Sequence, residues 1–446
     1  MTRSSLNSPY LSHLLEFEKQ ILSHQSRIEA WFRSQWHQHR PPFYGSVDMR
    51  NAAYKISPVD MNLFPGGFNN LNSQFMSSAV LAAQDAVERT CADAQSVLLI
   101  PENHTRNTFY LQNVYALSNI LRQAGFEVRI GSMNPEISTA TTVQTAGGED
   151  LLLEPLKRDG DRLRLADGFS PCVVLLNNDL SGGVPDILRG VQQNIIPPLH
   201  AGWYTRRKTE HFSAFNQVID QFSAVAEIDP WSINPYFTAC GGLNFQEHEG
   251  EERLADAVSD LLGKIQTKYN EKGIADTPFV IVKADAGTYG MGVMSVKSPD
   301  EVRGLNRKNR NKMATVKEGL EVTEVIVQEG VYTCETVGDA VAEPVVYMMD
   351  RFVLGGFYRV HEGRRADENL NASGMKFIPL TGEIPMDEES VMLQYEKNRC
   401  YEQWDEAGLL QINQDADCAC NRFYVYGVIA RLSLLAAAIE LEQFRD

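Results

Sequence analysis

The clearest chemistry in the chain lies at residues 279–293, FVIVKADAGTYGMGV. An apolar strand from Phe279 to Lys283 runs into a loop with Gly287, Gly290 and Gly292 and returns at Val293. Glycines let backbone N–H groups approach an anion with no Cβ in the way. A lysine at a strand end offers phosphate oxygens a compact positive charge. The lysine precedes the glycines, so this is neither G-x-x-x-x-G-K-[ST] nor G-x-G-x-x-G before a helix. The expectation is a flap over a nucleoside triphosphate, with Lys283, Gly287, Thr288, Tyr289 and Gly290 against the phosphates. A ligand-free tight hairpin would use similar glycines.

Two later segments complete a phosphate-handling set. Gln328, Glu329 and Val331 end an apolar run where a backbone hinge can read the edge of a base. Asp350 falls between the strand runs 343–349 and 352–360, Arg359 lies on the second, and Glu368, Asn369 and Asn371 follow in a loop. Mg²⁺ takes oxygen ligands in octahedral array. Asp350 and Glu368 with Asn369 or Asn371 would supply them, and Arg359 would neutralise charge on a transferring phosphoryl group.

Residues 46–71, SVDMRNAAYKISPVDMNLFPGGFNNL, hold Asp48, Arg50, Lys55, Asp60, Asn62, Asn69 and Asn70 among prolines and glycines. The composition predicts a turn-rich loop with no regular element. Charges of both signs beside amide donors suit a zwitterionic amino acid. Asn103, His104, Arg106 and Asn107 follow a strand end, where open α/β sheets place ligand sites. Asn177, Asn178 and Asp179 end another strand and are weaker candidates for a substrate amine. The basic run from Arg303 to Lys312 reads as a solvated helix, with a lid over phosphates as the other possibility.

Taken in order, the lysine and glycine flap, the Q-E-G-V hinge, the Asp, the Y-R-V strand and E-N-L-N-A-S-G resemble the ATP-grasp superfamily, its glutathione synthetase branch in particular. Lys208 sits about where that branch has an earlier phosphate-contacting lysine. Residues 46–71, with IPENHTRNTFY at 100–110, resemble the short proteobacterial-type glutamate–cysteine ligase family. The resemblance implies ATP and Mg²⁺ as cofactors and glutamate, cysteine and ATP as small-molecule substrates. It implies an acyl phosphate on the glutamate γ-carboxylate, with γ-glutamylcysteine as product. No side-chain nucleophile is needed for that chemistry. Three other readings stay open: a sister ligase such as glutathione synthetase, a non-catalytic ATP-binding sensor, and a simple kinase.

The elements that must hold these residues are those of an α/β (α+β) protein. Its 446 residues suggest two or three domains at ~150 residues each. Helical spacing covers the first ~35 residues and 76–94; strands at 97–100, 126–130 and 173–176 flank a helix at 108–124, and a hairpin turns at 159–160. This predicts a Rossmann-like pre-ATP-grasp domain over 1–200. Helices at 209–226 and 251–271 and the dense β region that follows predict an ATP-grasp fold, with the flap subdomain at 201–330 and a metal-bearing subdomain at 331–446. A net charge of −17 argues against nucleic acid and anionic membranes as partners. Seven scattered cysteines, with Cys418 and Cys420 as a C-x-C pair, read as reduced and structural, and no signal or membrane span is evident. A cytoplasmic enzyme is expected; a homo-oligomer is compatible with everything above.

Overall fold

Two amphipathic helices open the chain. α1 (Leu11–Ser23) and α2 (Gln25–Gln38) bury Leu14, Ile21, Ile28 and Phe32, which their helical spacing brings to one face. The computed structural model describes residues 4–6, 8–287, 292–314, 321–380, 403–404, 410–411 and 422–443. Cys400, Cys418 and Cys420 lie outside them.

Residues 46–71 differ from expectation. Their first part is an antiparallel hairpin, β1 (Tyr44–Asn51) and β2 (Ile56–Asn62), with one register shift between Asp48 and Met49. The reason is the two-residue period of a strand. It sends Val47 and Met49 into the core and turns Ser46, Asp48 and Arg50 together into a cleft. Polar residues that look like loop composition are one face of a strand.

The next elements form the Rossmann-like layer. α3 (Met76–Thr90), β3 (Ser96–Pro101), α4 (Thr108–Gln123), β4 (Glu127–Ser132), β5 (Asp150–Pro155) and β6 (Val173–Asn177) follow the predicted alternation. The sheet order is Asn194–Ile196, β6, β3, β4, β5, Thr141–Gln144, parallel except for the last strand. Strands covered on both faces read as unbroken apolar runs, and Val97–Ile100 and Val173–Leu176 are fully buried. The hairpin about Asp159-Gly160 is confined to Lys157–Asp159 and Arg162–Arg164, while β5 joins the main sheet. Cys91, after α3, and Cys172, before β6, form a disulfide across a separation of 81 residues, against the expectation of reduced thiols. Spacing in sequence gives no sign of that pairing.

Then come α5 (Lys208–Ala226), β7 (Phe237–Gly241), α6 (Glu251–Lys272), β8 (Val280–Ala284), β9 (Val293–Val296) and β10 (Glu324–Glu329). The strands make an antiparallel sheet, β7–β10–β8–β9, and Leu254, Val258, Leu261 and Ile265 of α6 pack in its core cluster. The basic run is helical over Pro299–Arg303 and Arg307–Ala314.

The largest sheet is built on β11 (Ala340–Met349), which pairs with β12 (Phe352–His361), with β1 and with Glu335–Val337; β13 (Lys376–Pro379) adds to β12 and β2 to β1. α7 (Arg422–Glu442) is long and apolar enough to cross a membrane, yet 83% of its apolar window is buried. It packs on α5 and on this sheet as a core helix. Residues 44–62 therefore share a layer with 335–379, so the segment 1–200 does not form one separate unit.

Candidate active site

A cleft of about 1170 Å³ opens among the three sheets. At one end the period of the β8 strand turns Phe279, Ile281 and Lys283 toward it, and Gln328 on β10 stands opposite Ile281. Val293 and Val331 close this apolar end. The Lys283 ammonium donates to the Val59 carbonyl. Burial lowers its pKa to about 8, although Asp60 pulls the other way.

Lys208, the first residue of α5, stands beside Lys283. Its ammonium donates to Asp60 Oδ1 and to the Gly287 carbonyl, both at 3.1 Å, and lies 4.0 Å from the Trp203 ring centre. Burial alone would raise the Asp60 carboxyl, but Lys208 and Lys283 outweigh it and hold it at about 2. Asp285 ties the flap root to α5, accepting from Thr209 N at 2.9 Å and Thr209 Oγ1 at 2.7 Å. Gly287, φ +101°, is in a backbone conformation that L side chains rarely adopt. Thr288, Tyr289 and Gly290 lie outside the described residues.

The middle of the cleft is a network of arginines and carboxylates. Arg359 Nη1 donates to Asp48 Oδ2 at 2.8 Å and to Glu343 Oε1 at 2.6 Å. Arg50 Nε donates to Glu343 Oε2 at 2.7 Å. Burial opposes the Arg359 charge, but Asp48 and Glu343 outweigh it and push its pKa further up. Arg359 Nε is buried and has no hydrogen-bond partner. Burial raises the Asp48 carboxyl in spite of Arg359.

The far end belongs to the loop after β2 and to the edge of the Rossmann-like sheet. Asn62, Asn69 and Asn70 line it, joined by Glu102, Asn107, Asn113, Asn177 and Asp179. Asn113 Oδ1 accepts from Gly67 N at 2.8 Å and Phe68 N at 3.0 Å, so α4 sets the position of the Asn69–Asn70 turn. β3 continues to β4 on one side and neighbours β6 on the other. Glu102 and Asn177 thus sit at the switch point where open α/β sheets bind ligands.

Several expected site residues are elsewhere. Asp350 sits at the β11–β12 turn, about 24 Å of strand from Glu343 at ~3.4 Å per residue. Its carboxylate is 2.6 Å from Arg89 Nε of α3. Glu368 turns toward Arg364 and Arg365, and it is its carbonyl that accepts from Arg50 Nη2, at 2.6 Å. Of the expected metal ligands only Asn369 and Asn371 line the cleft. Among the described residues no group of three or more His, Cys, Asp or Glu is arranged to hold a metal. The expected Mg²⁺ set therefore does not assemble. Lys55 is buried against Glu329 and 4.4 Å from the Trp231 ring centre, outside the cleft lining. Glu329 reaches the cleft, but its carboxylate is taken up by Lys55, Trp231 Nε1 and Tyr236 N. Asn103, His104 and Arg106 do not line it; Asn107, which caps α4 by accepting from Tyr110 N, does.

Glu343, Trp203, Asn113 and Asp285 were missed. A glutamate inside the otherwise apolar run 340–349 was the available signal for Glu343, since a charge in a buried strand needs a partner. Nothing in the sequence marks Asn113, a polar position on an otherwise ordinary helix.

A four-stranded antiparallel sheet facing a larger antiparallel sheet across a cation-rich cleft, beside a Rossmann-like layer, is the ATP-grasp layout expected from the sequence. The chain matches the glutamate-cysteine ligase family (GshA) over residues 18–441, and it belongs to that family. A candidate gamma-glutamylcysteine synthetase from Methylobacillus flagellatus KT, solved at 1.90 Å, is 58% identical over 99% of both chains, with a TM-score of 0.86. A glutathione synthetase-like effector from Globodera pallida (11% identity; 82% of this chain, 79% of that one; TM-score 0.37) is a remote match. So is D-alanyl-alanine synthetase A from Vibrio cholerae O1 biovar eltor str. N16961 (12%; 76% and 98%; 0.32), and neither likeness is close enough to argue from. A search of curated proteins returns no significant match.

Proposed function

We propose that the cleft phosphorylates the γ-carboxylate of glutamate with ATP and passes the acyl group to the amine of cysteine. The family's reaction is glutamate–cysteine ligation. What supports this assignment of the cleft is one observation: Lys283, Arg359 and Arg50, from three separate elements, line one space bounded by apolar walls at one end and amide side chains at the other, and Lys208 is bonded to Asp60 in its wall.

In the first step a carboxylate oxygen of glutamate bonds to the γ-phosphorus and the bridging P–O bond to ADP breaks. Lys283, Lys208 and the Arg359 guanidinium offset the charge on the moving phosphoryl group, and the arrangement acts by positioning and electrostatics. The cysteine nitrogen, having lost its ammonium proton, then bonds to the acyl carbon. Phosphate leaves with the C–O bonding pair, the nitrogen gives up a further proton, and the amide remains. Asn62, Asn69, Asn70 and the carboxylates Glu102 and Asp179 are the donors and acceptors for the two zwitterions. Magnesium enters only as the counter-ion that accompanies the nucleotide, and no step is assigned to chain ligands for it.

The test is ADP release with glutamate and one amine at a time, with hydroxylamine in place of cysteine as a trap. The expected result is turnover with cysteine and glutamyl hydroxamate with hydroxylamine. ADP release that needs no glutamate, or turnover with glycine but not cysteine, would overturn the assignment.

A further inference from the structure

We propose that Phe357 and Phe377 form the subsite for the thiol side chain of the amine substrate and make the cleft selective for cysteine over serine and glycine. The inference rests on the cleft being the ligase site and adds to that reading the source of its amine selectivity.

The register of the largest sheet lays out the floor of the cleft. One row across it reads Phe377 on β13, Arg359 on β12 and Glu343 on β11. The next reads Phe357, Val345, Asp48 and Asp60, from β12 across to β2. All of these residues line the cleft. The carboxylates thus gather toward β1 and β2, and the apolar groups form a corner beside Arg359.

Phe377 is the open face of that corner. It is 37% exposed, whereas Phe357 and Val345 are buried. The two phenyl rings meet edge to face with centres 4.9 Å apart, and the Tyr347 ring centre is 5.4 Å from that of Phe357. The Tyr347 hydroxyl donates to the Gly66 carbonyl, so the corner presents hydrocarbon and ring edges. It packs against the turn that leads to Asn69 and Asn70: a Cβ on Gly67, φ +109°, would lie 2.8 Å from Tyr347 Oη and 3.4 Å from Phe357 Cε1. An aromatic surface left open inside a charged cleft marks a place for an apolar group of a ligand.

Among the substrates, cysteine has the group to place there. Glutamate carries polar groups at both ends, and the nucleotide has its own apolar slot around Ile281 on the other sheet. The cysteine side chain is a small hydrophobe whose polarizable sulfur is attracted to aromatic edges. Three bonds separate that sulfur from the attacking nitrogen, so the thiol must rest close to the reacting carboxylate. Phe377 meets this demand because it stands directly opposite Arg359, and opposite residues on paired strands have Cβ atoms about 5 Å apart. Serine would bring a hydroxyl against the rings and lose hydration there. Glycine would leave the ring uncovered.

The experiment measures kcat/KM of the full chain for cysteine, 2-aminobutyrate, serine, glycine and hydroxylamine, at saturating ATP and glutamate, and repeats the series on Phe377→Ala. 2-Aminobutyrate replaces the thiol by a methyl group of similar size. The wild type should use it within about tenfold of cysteine and should prefer cysteine over serine and glycine by about 100-fold. In Phe377→Ala the ratio of cysteine to hydroxylamine turnover should fall about tenfold, and the preference over serine should fall with it. A wild type that uses serine as well as it uses 2-aminobutyrate overturns the proposal without any variant. So does a Phe377→Ala enzyme that loses cysteine and hydroxylamine turnover by one common factor. In both cases hydroxamate formation leaves the ligase reading standing, whereas no glutamate-dependent ADP release with any amine ends that reading and this subsite with it.

Discussion

Lys55 and Glu329 form an ion pair of 2.8 Å in which each side chain is 1% exposed. Lys55 lies in the turn of the β1–β2 hairpin and Glu329 at the end of β10, so the pair fastens the strand that carries Asp48 and Arg50 to the hinge of the other sheet. Lys55 also donates to the Asn234 carbonyl, and Trp231 Nε1 and Tyr236 N complete the carboxylate. Two walls of the cleft are thereby held in register by one buried contact.

Removing either partner leaves an uncompensated buried charge, which costs about 3–5 kcal/mol, whereas replacing both with apolar residues of similar size is much milder. Lys55→Met should therefore lower the denaturant midpoint sharply, and Lys55→Met/Glu329→Met should recover most of it. Urea titration of the two single variants and the double variant checks this. A double variant as unstable as the sum of the singles would show that the two residues do not act as a pair.

Asp350 provides the counter-case to its expected metal role. Asp350→Ala should leave kcat and KM for all three substrates within about twofold. It should reduce stability by about 1–3 kcal/mol, since the Asp350 carboxylate is 2% exposed and loses its contacts with Arg89 and with Arg351 N. Asp48→Ala, beside Arg359, should abolish turnover. Loss of activity in Asp350→Ala with unchanged melting temperature would restore Asp350 to the chemistry.

How far the sequence discloses this site follows from where its signals come from. Strand-Lys-glycine spacing is local, so the flap and Lys283 are legible, as are the alternating α and β elements between Ser96 and Asn177. Asp350 misleads because a carboxylate at a hairpin turn reads the same whether it faces a ligand or, as here, an arginine from α3 that is 261 positions away in sequence. The polar richness of residues 46–71 was visible. Its strand character was not, because only the layer built by β11 explains why one face of β1 is charged. Arg359 was readable from its motif, whereas Glu343, which orients it, needed the β11–β12 register that places the two side by side.

Arg359 grips Asp48 with the planar fork of its guanidinium, Nη1 at 2.8 Å and Nη2 at 3.2 Å, and reaches Glu343 from Nη1 at 2.6 Å. A lysine keeps the charge but cannot reproduce the two-nitrogen contact with Asp48. Arg359→Lys should reduce kcat by about 10²–10³, the range for losing one preorganised donor to a developing charge. KM for ATP should change less. Steady-state kinetics with all three substrates varied decides it. A change in KM alone, with kcat retained, would assign Arg359 to ground-state binding.

The pH response of nucleotide binding follows from Lys283. Burial lowers its pKa to about 8, so its ammonium is fully charged below that pH and is lost as the pH rises through it. A triphosphate favours the charged form, so affinity should be level from pH 6.5 to 7.5 and weaken by up to about tenfold at pH 9, in step with the one-in-ten fraction still protonated. Because binding restores the proton, calorimetry above pH 8 in buffers of different ionisation enthalpy should show uptake approaching one proton per nucleotide. Lys283→Arg, whose guanidinium stays charged, should bind with no alkaline limb and no such uptake. A wild-type profile that stays flat to pH 9 would mean that Lys283 does not bear on the phosphates, and the flap would lose its principal cation.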